Sequence, residues 1–191
     1  MPLAQPIVRL PLFDKLLSLE REGLFLEGMN LNNELTYPTL PHWASPKNCA
    51  VLGDTGYEAV HYNILIRDGV IDSRSPVFVT VPHAGIRENA NFIAGDSLES
   101  FVRFGLIRGF FGIYQLAENR ELTLEVYSSP DWQPTKEWHY GVGFVPDEGE
   151  KAILRSLGET LNLTPLSYTP TEYQELQDRY LPLLEYWDYE L

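Results

Sequence analysis

Apolar and polar positions recur along this chain with two different periods, and the change of period divides it. Between Leu12 and Glu22, Phe13, Leu16, Leu17 and Glu20 fall at helical spacing and predict a short half-apolar helix. Gly23 stops it. From Gly28 to Lys47 neither period holds. Asn30, Asn32, Asn33, Pro38, Pro41 and Pro46 punctuate an irregular stretch, and Tyr37 and Trp43 are expected to pin it to a core. Its length is unusual for a structureless connection, which favours a lid or a sheet edge.

A strand region follows. Cys49–Leu52 is short and apolar, and Gly53, Asp54 and Gly56 predict a turn after it. Residues 59–66 alternate, with Val60, Tyr62, Ile64 and Ile66 on one face and His61 and Asn63 on the other. Asp68-Gly69 predicts a tight turn, because both residues tolerate positive φ. Val77–Val81, after Pro76, is apolar on both faces and reads as an inner strand. An antiparallel meander through 49–81 is the economical topology.

The helical period then returns. Asp96 with Glu99 suggests a capping box ahead of Leu98, Phe101, Val102 and Gly105. Phe110, Ile113, Tyr114 and Ala117 define a second amphipathic stretch. Residues 122–127 are compatible with a further strand, and 128–146 read as a loop carrying Trp132, Trp138, His139 and Tyr140. Asp147 with Glu150 caps a helix bearing Ile153, Leu154, Leu157 and Leu161. Thr169-Pro170-Thr171-Glu172 caps the last helix, on which Tyr173, Leu176 and Tyr180 share a face. Strands followed by helices predict an α+β fold: a mostly antiparallel central sheet packed by several helices, with a helical C-terminal part. We expect a single domain over 1–191, with its core at about 10–127 and an elaboration at about 147–191.

Composition narrows the function. The 191 residues carry 27 acidic and 14 basic side chains, a formal charge of −13. Such a field repels phosphate backbones and anionic lipid, so nucleic-acid and membrane binding are not expected, and a basic protein partner is. Residues 147–191 hold ten acids and three bases, about half the excess. The lone Cys49 rules out an internal disulfide and points to a reducing compartment. The N-terminus has three prolines in eleven residues and lacks the apolar centre of a signal peptide. No apolar run approaches the roughly 18 residues of a membrane span. A cytoplasmic location is the expectation.

Candidate chemistry is sparse. Cys49 could pair with His61 or His83 as a nucleophile, but an apolar strand predicts core packing for it. His42, His61, His83 and His139 lack ligand spacing, and no metal or cofactor is expected. Asp54-Thr55-Gly56 matches the aspartic-protease triplet, yet such enzymes need a second copy, which is absent. No catalytic residue is assigned. One rival reading is a small hydrolase-like enzyme using His83 in a pocket closed by the 128–146 loop. Another is a structural or virion-type subunit.

Gly53-Asp54-Thr55-Gly56-Tyr57, the strand 60–65, the strand Pro76-Val77-Phe78-Val79-Thr80-Val81 and Asp96-Ser97-Leu98-Glu99-Ser100-Phe101 follow a familiar order. Over about 49–106 the chain resembles the SUKH superfamily of Smi/Knr-type domains. That resemblance implies an α+β domain with a non-catalytic role. Many members are bacterial immunity proteins that bind and neutralise toxins. The expected function is therefore a protein-binding module that docks a basic partner. Its candidate contacts are Asp54, Glu58 and Asp72 near strand ends, and Glu185, Trp187 and Asp188 in the acidic, aromatic tail.

Overall fold

The computed structural model describes residues 5–23, 29–38, 43–84, 87–129, 131–132 and 146–188. The chain enters through β1 (Ile7–Val8) and α1 (Pro11–Arg21), whose apolar side buries Phe13, Leu16 and Leu17 as the spacing predicts. Six more strands follow: β2 (Asn30–Leu31), β3 (Cys49–Asp54), β4 (His61–Leu65), β5 (Val70–Ile71), β6 (Val77–Thr80) and, after the short α2 (Arg87–Ala90), β7 (Asn91–Gly95). Helices then dominate: α3 (Leu98–Gly105), a 3₁₀ segment (Phe111–Ala117), α4 (Arg120–Val126), α5 (Glu148–Leu161), α6 (Pro170–Tyr180) and a 3₁₀ turn (Leu181–Leu183). The architecture is α+β.

Five strands form one antiparallel sheet in the order β2-β3-β4-β6-β7, and β1 pairs with β5 in a separate parallel ribbon. The expected meander is β3-β4-β6. Its alternation sorts the two faces. Ala50, Leu52, Tyr62, Ile64, Val77, Val79, Phe92 and Ala94 join the main core with α1, α3 and the Phe111–Ala117 segment. The Tyr62 hydroxyl donates to the Phe110 carbonyl (2.7 Å), so the one polar atom on that ring is satisfied. Behind the sheet, Cys49, Leu65, Phe78 and Ile93 pack against Leu176 and Leu184.

That second face also carries a polar ladder. Asn63 donates to Thr80 (2.8 Å), Thr80 to Asn91 (2.7 Å), and Asn91 to the Ala44 carbonyl (2.7 Å). All three side chains are buried, and the chain of bonds offsets their desolvation. Edge strand β7 is closed by a side chain rather than a strand. The Gln177 amide accepts from the Ile93 N–H (2.8 Å) and donates to the Ile93 carbonyl (2.9 Å).

Several local expectations are corrected. Gly53 and Asp54 belong to β3, not to the turn, because β2 pairs with them. A Cβ on Gly53 would run into the Asn30 carbonyl, so the close approach of β2 requires glycine there. Residues 91–95 form the sheet's fifth strand, in a stretch to which the periodicity assigns no element. The cap of α3 is Ser97 with Ser100, one residue beyond Asp96. The 110–117 stretch winds as 3₁₀ helix. Residues 122–126 are helical, not extended, with Tyr127 capping them: Asn119 accepts the Leu122 N–H (3.2 Å), and Thr123, Leu124 and Val126 are all buried. Trp43 stays 36% exposed, whereas Tyr37 packs on the core. The caps at Asp147 and Thr169 and the Asp68-Gly69 turn form as expected.

Candidate functional site

β4 is five residues long and spans about 16 Å, so loops at its two ends make separate surfaces. One end carries residues 54–60 and 81–84. The other carries 66–76 and 96–97.

At the first end, residues 54–60 form a knob built from hydrogen bonds within the loop. The Asp54 carboxylate accepts the Gly56 N–H (2.8 Å) and the Asn30 side-chain amide (3.0 Å), and Thr55 N–H donates to Val60 O (3.0 Å). Closing the loop places Glu58 (φ 45°) and Ala59 (φ 58°) in the left-handed region. Neither residue is suited to it, and such backbone costs of order 1–3 kcal/mol per residue.

The conformation sets out an acidic and aromatic surface. Tyr57 is 43% exposed and leans on Phe111 (6.1 Å between centroids, edge-on) and Tyr114 (6.0 Å). The Glu58 carboxylate beside its phenol, by hydrogen bond and charge, raises the Tyr57 pKa above the usual tyrosine value. Glu58 lies 3.4 Å from His83 Nδ1, and Glu118 lies 3.7 Å from His83 Nε2. The imidazole therefore sits between two half-exposed carboxylates. The geometry suits hydrogen-bonded docking of cationic groups, and it also places a base beside two acids.

Asp72 lies at the opposite end, and its acceptors are turned inward. Its carboxylate takes the Arg74 N–H (2.8 Å) and faces the Arg74 guanidinium (3.4 Å), which together hold its pKa below the usual aspartate value. The tail lies elsewhere again, docked behind the sheet. Glu185 N–H donates to Asn48 (2.9 Å), Lys47 N–H donates to Glu185 O (2.7 Å), and the two side chains pair at 3.6 Å. Tyr186 receives a bond from Asn91 (3.1 Å), Trp187 is half-buried, and Asp188 is exposed. The six candidate contacts thus fall in three places: Asp54 and Glu58 at the knob, Asp72 at the opposite end, and Glu185, Trp187 and Asp188 in the tail.

Reading the residues alone missed Tyr57, Phe111, Tyr114 and Glu118 as neighbours of Glu58. They lie up to 61 residues apart in sequence, and no motif links them. His83 was singled out only as a catalytic base.

The remaining candidates are structural in their surroundings. Cys49 is fully buried, donates to Pro46 O (3.0 Å), and burial drives its thiol pKa far upward, away from nucleophilic use. His61 bonds Ser45 (3.1 Å) and Ala59 O (2.7 Å). His42, His139, Trp138 and Tyr140 lie outside the described residues. Among the described residues, no group of three or more His, Cys, Asp or Glu side chains is placed to hold a metal ion, and no helix is long and apolar enough to cross a membrane. Arg108 is 1% exposed; it donates to Trp132 O (3.0 Å) and stacks 5.6 Å from that indole, and burial lowers its pKa.

No protein-family model, curated protein or solved structure matches the chain.

Proposed function

We propose that this protein is a non-catalytic binding module that docks a basic protein partner through the 54–60 knob and the adjoining Glu118. Exposed Tyr57 with the Glu58 and Glu118 carboxylates beside it is the observation that carries the reading. A large ring with a polar tip, fixed before binding, supplies anchor area at low entropic cost. The carboxylates around it, within a chain of charge −13, accelerate encounter with a cation and penalise anionic partners. The conformational cost at Glu58 and Ala59 belongs to a surface held for a purpose outside the fold. With the SUKH resemblance, the partner class is a basic toxin such as a nuclease, neutralised in the cytoplasm by occlusion.

The test is association kinetics against a panel of small cationic proteins, ribonuclease toxins included, at low and high ionic strength. At least one should bind with an association rate that drops steeply with salt, and charge reversal at Glu58 and Glu118 should abolish that binding. Salt-independent association, or full binding by the reversed protein, would refute the reading.

A second reading has one observation in its favour. His83 between two carboxylates is an arrangement that can move protons, as a hydrolase would require. Of the loop assigned to close its pocket, 130 and 133–145 lie outside the described residues. Turnover of ester or phosphodiester substrates that His83→Ala removes would replace the binding-module reading with this one.

A further inference from the structure

The end of the sheet opposite the knob holds a cleft of about 690 Å³, a size that suits a small ligand. Arg9 lines it from the end of the N-terminal strand, and Arg67 and Arg74 from the hairpin of residues 67–75. They are three of only 14 basic residues in a protein of charge −13. Their donors are mostly unspent. Arg9 makes no side-chain hydrogen bond or ion pair among the described residues. Arg67 gives one N–H to the Arg74 carbonyl (2.8 Å), and Arg74, with 82% of its side chain exposed, has one long contact to Asp72 (3.4 Å).

Three aspartates share the lining: Asp68, Asp72 and Asp96. Asp72 is occupied by Arg74, and Asp96 accepts one bond from Ser97 (3.2 Å). Asp68 is exposed and bonds no other side chain among the described residues. The cleft therefore offers guanidinium donors and carboxylate acceptors together, with the Ser73 and Tyr180 hydroxyls beside them. A bare polyanion would meet repulsion from Asp68 and Asp96, and a neutral polyol would leave the guanidinium groups unanswered.

We infer that this cleft binds a small polyhydroxylated oxyanion, the chemistry shared by sugar phosphates and sugar acids. The oxyanion lies on Arg9 and Arg74, and its hydroxyls donate to Asp68 and Asp96. The inference does not depend on the knob or its partner.

Calorimetric titration of the full chain with glucose 6-phosphate, gluconate, inorganic phosphate and glucose tests it. One of the first two should bind saturably, about tenfold or more tighter than phosphate or glucose alone, and which one does so identifies the source of the oxyanion. Arg9→Gln with Arg74→Gln should weaken that binding by about tenfold or more at an unchanged thermal midpoint. Asp96→Asn should weaken the hydroxylated anion while phosphate, relieved of one repelling charge, binds at least as well as before. Arg9→Gln alone keeps the test open should the double variant unfold, since the Arg9 side chain supports no other group. No saturable heat with either hydroxylated anion, phosphate binding as tightly as they do, or arginine variants of unchanged affinity would each overturn the inference.

Discussion

Two turns at opposite ends of the same sheet both pass through left-handed backbone, and they do so with different residues. At one end Asp68 (φ 51°) and Gly69 (φ 74°) close a hairpin whose Arg67 and Val70 pair across it. These are residue types that adopt this conformation at little cost. At the other end Glu58 and Ala59 take nearly the same angles with side chains that resist them. The inexpensive turn adjoins a cleft lined by arginines and aspartates. The costly turn carries exposed Tyr57 and carboxylates aimed at solvent. Local conformational cost accompanies the outward-facing chemistry of the knob and is absent from the hairpin, whose residues suit their angles.

Four substitutions test the contrast, and the first has the largest expected effect. Gly53→Ala drives a Cβ into the Asn30 backbone at the base of the knob and should cost about 3 kcal/mol in chemical denaturation. A neutral result would mean that β2 does not brace this end. Ala59→Gly removes the conformational penalty (φ 58°) and should stabilise the fold by about 1 kcal/mol, after the extra freedom glycine gives the unfolded chain. Partner association should weaken at the same time, because the knob loosens. If stability falls instead, the left-handed backbone is not a burden.

Asp72→Asn addresses the other end and should cost about 1 kcal/mol at neutral pH through the lost turn and arginine contacts. Its pH dependence has a definite sign. The folded pKa of Asp72 is depressed by the Arg74 backbone and side chain, so its contribution is present above the unfolded value of about 4 and disappears as pH falls through the folded one. Acid titration of stability should therefore be shallower in Asp72→Asn below about pH 4. His83→Ala is the mildest change. It removes an imidazole that faces two half-exposed carboxylates and should cost less than about 0.5 kcal/mol. A larger loss would show that the imidazole braces the knob.

What the residues determined by themselves is what nearest neighbours decide. The half-apolar faces of α1 and α6, the caps at Asp147 and Thr169, the hairpin at Asp68-Gly69 and the facing of Tyr62 and Ile64 against Asn63 all follow from contacts within a few positions. Where two local answers were close in energy, tertiary packing chose. Ser97 outcompetes Asp96 as a cap, and 122–126 coils although its alternation also suits a strand, since helix buries Thr123, Leu124 and Val126 under a cap at Asn119. Only the folded chain brings Glu58, His83 and Glu118 together, or Arg9, Arg67 and Arg74. No period or turn links Glu58, His83 and Glu118, and Arg9 reaches the Arg67–Arg74 hairpin only because β1 pairs with β5. Their meeting is set by which strands pair and which loops share an end of the sheet, and that is a property of the whole hydrophobic core.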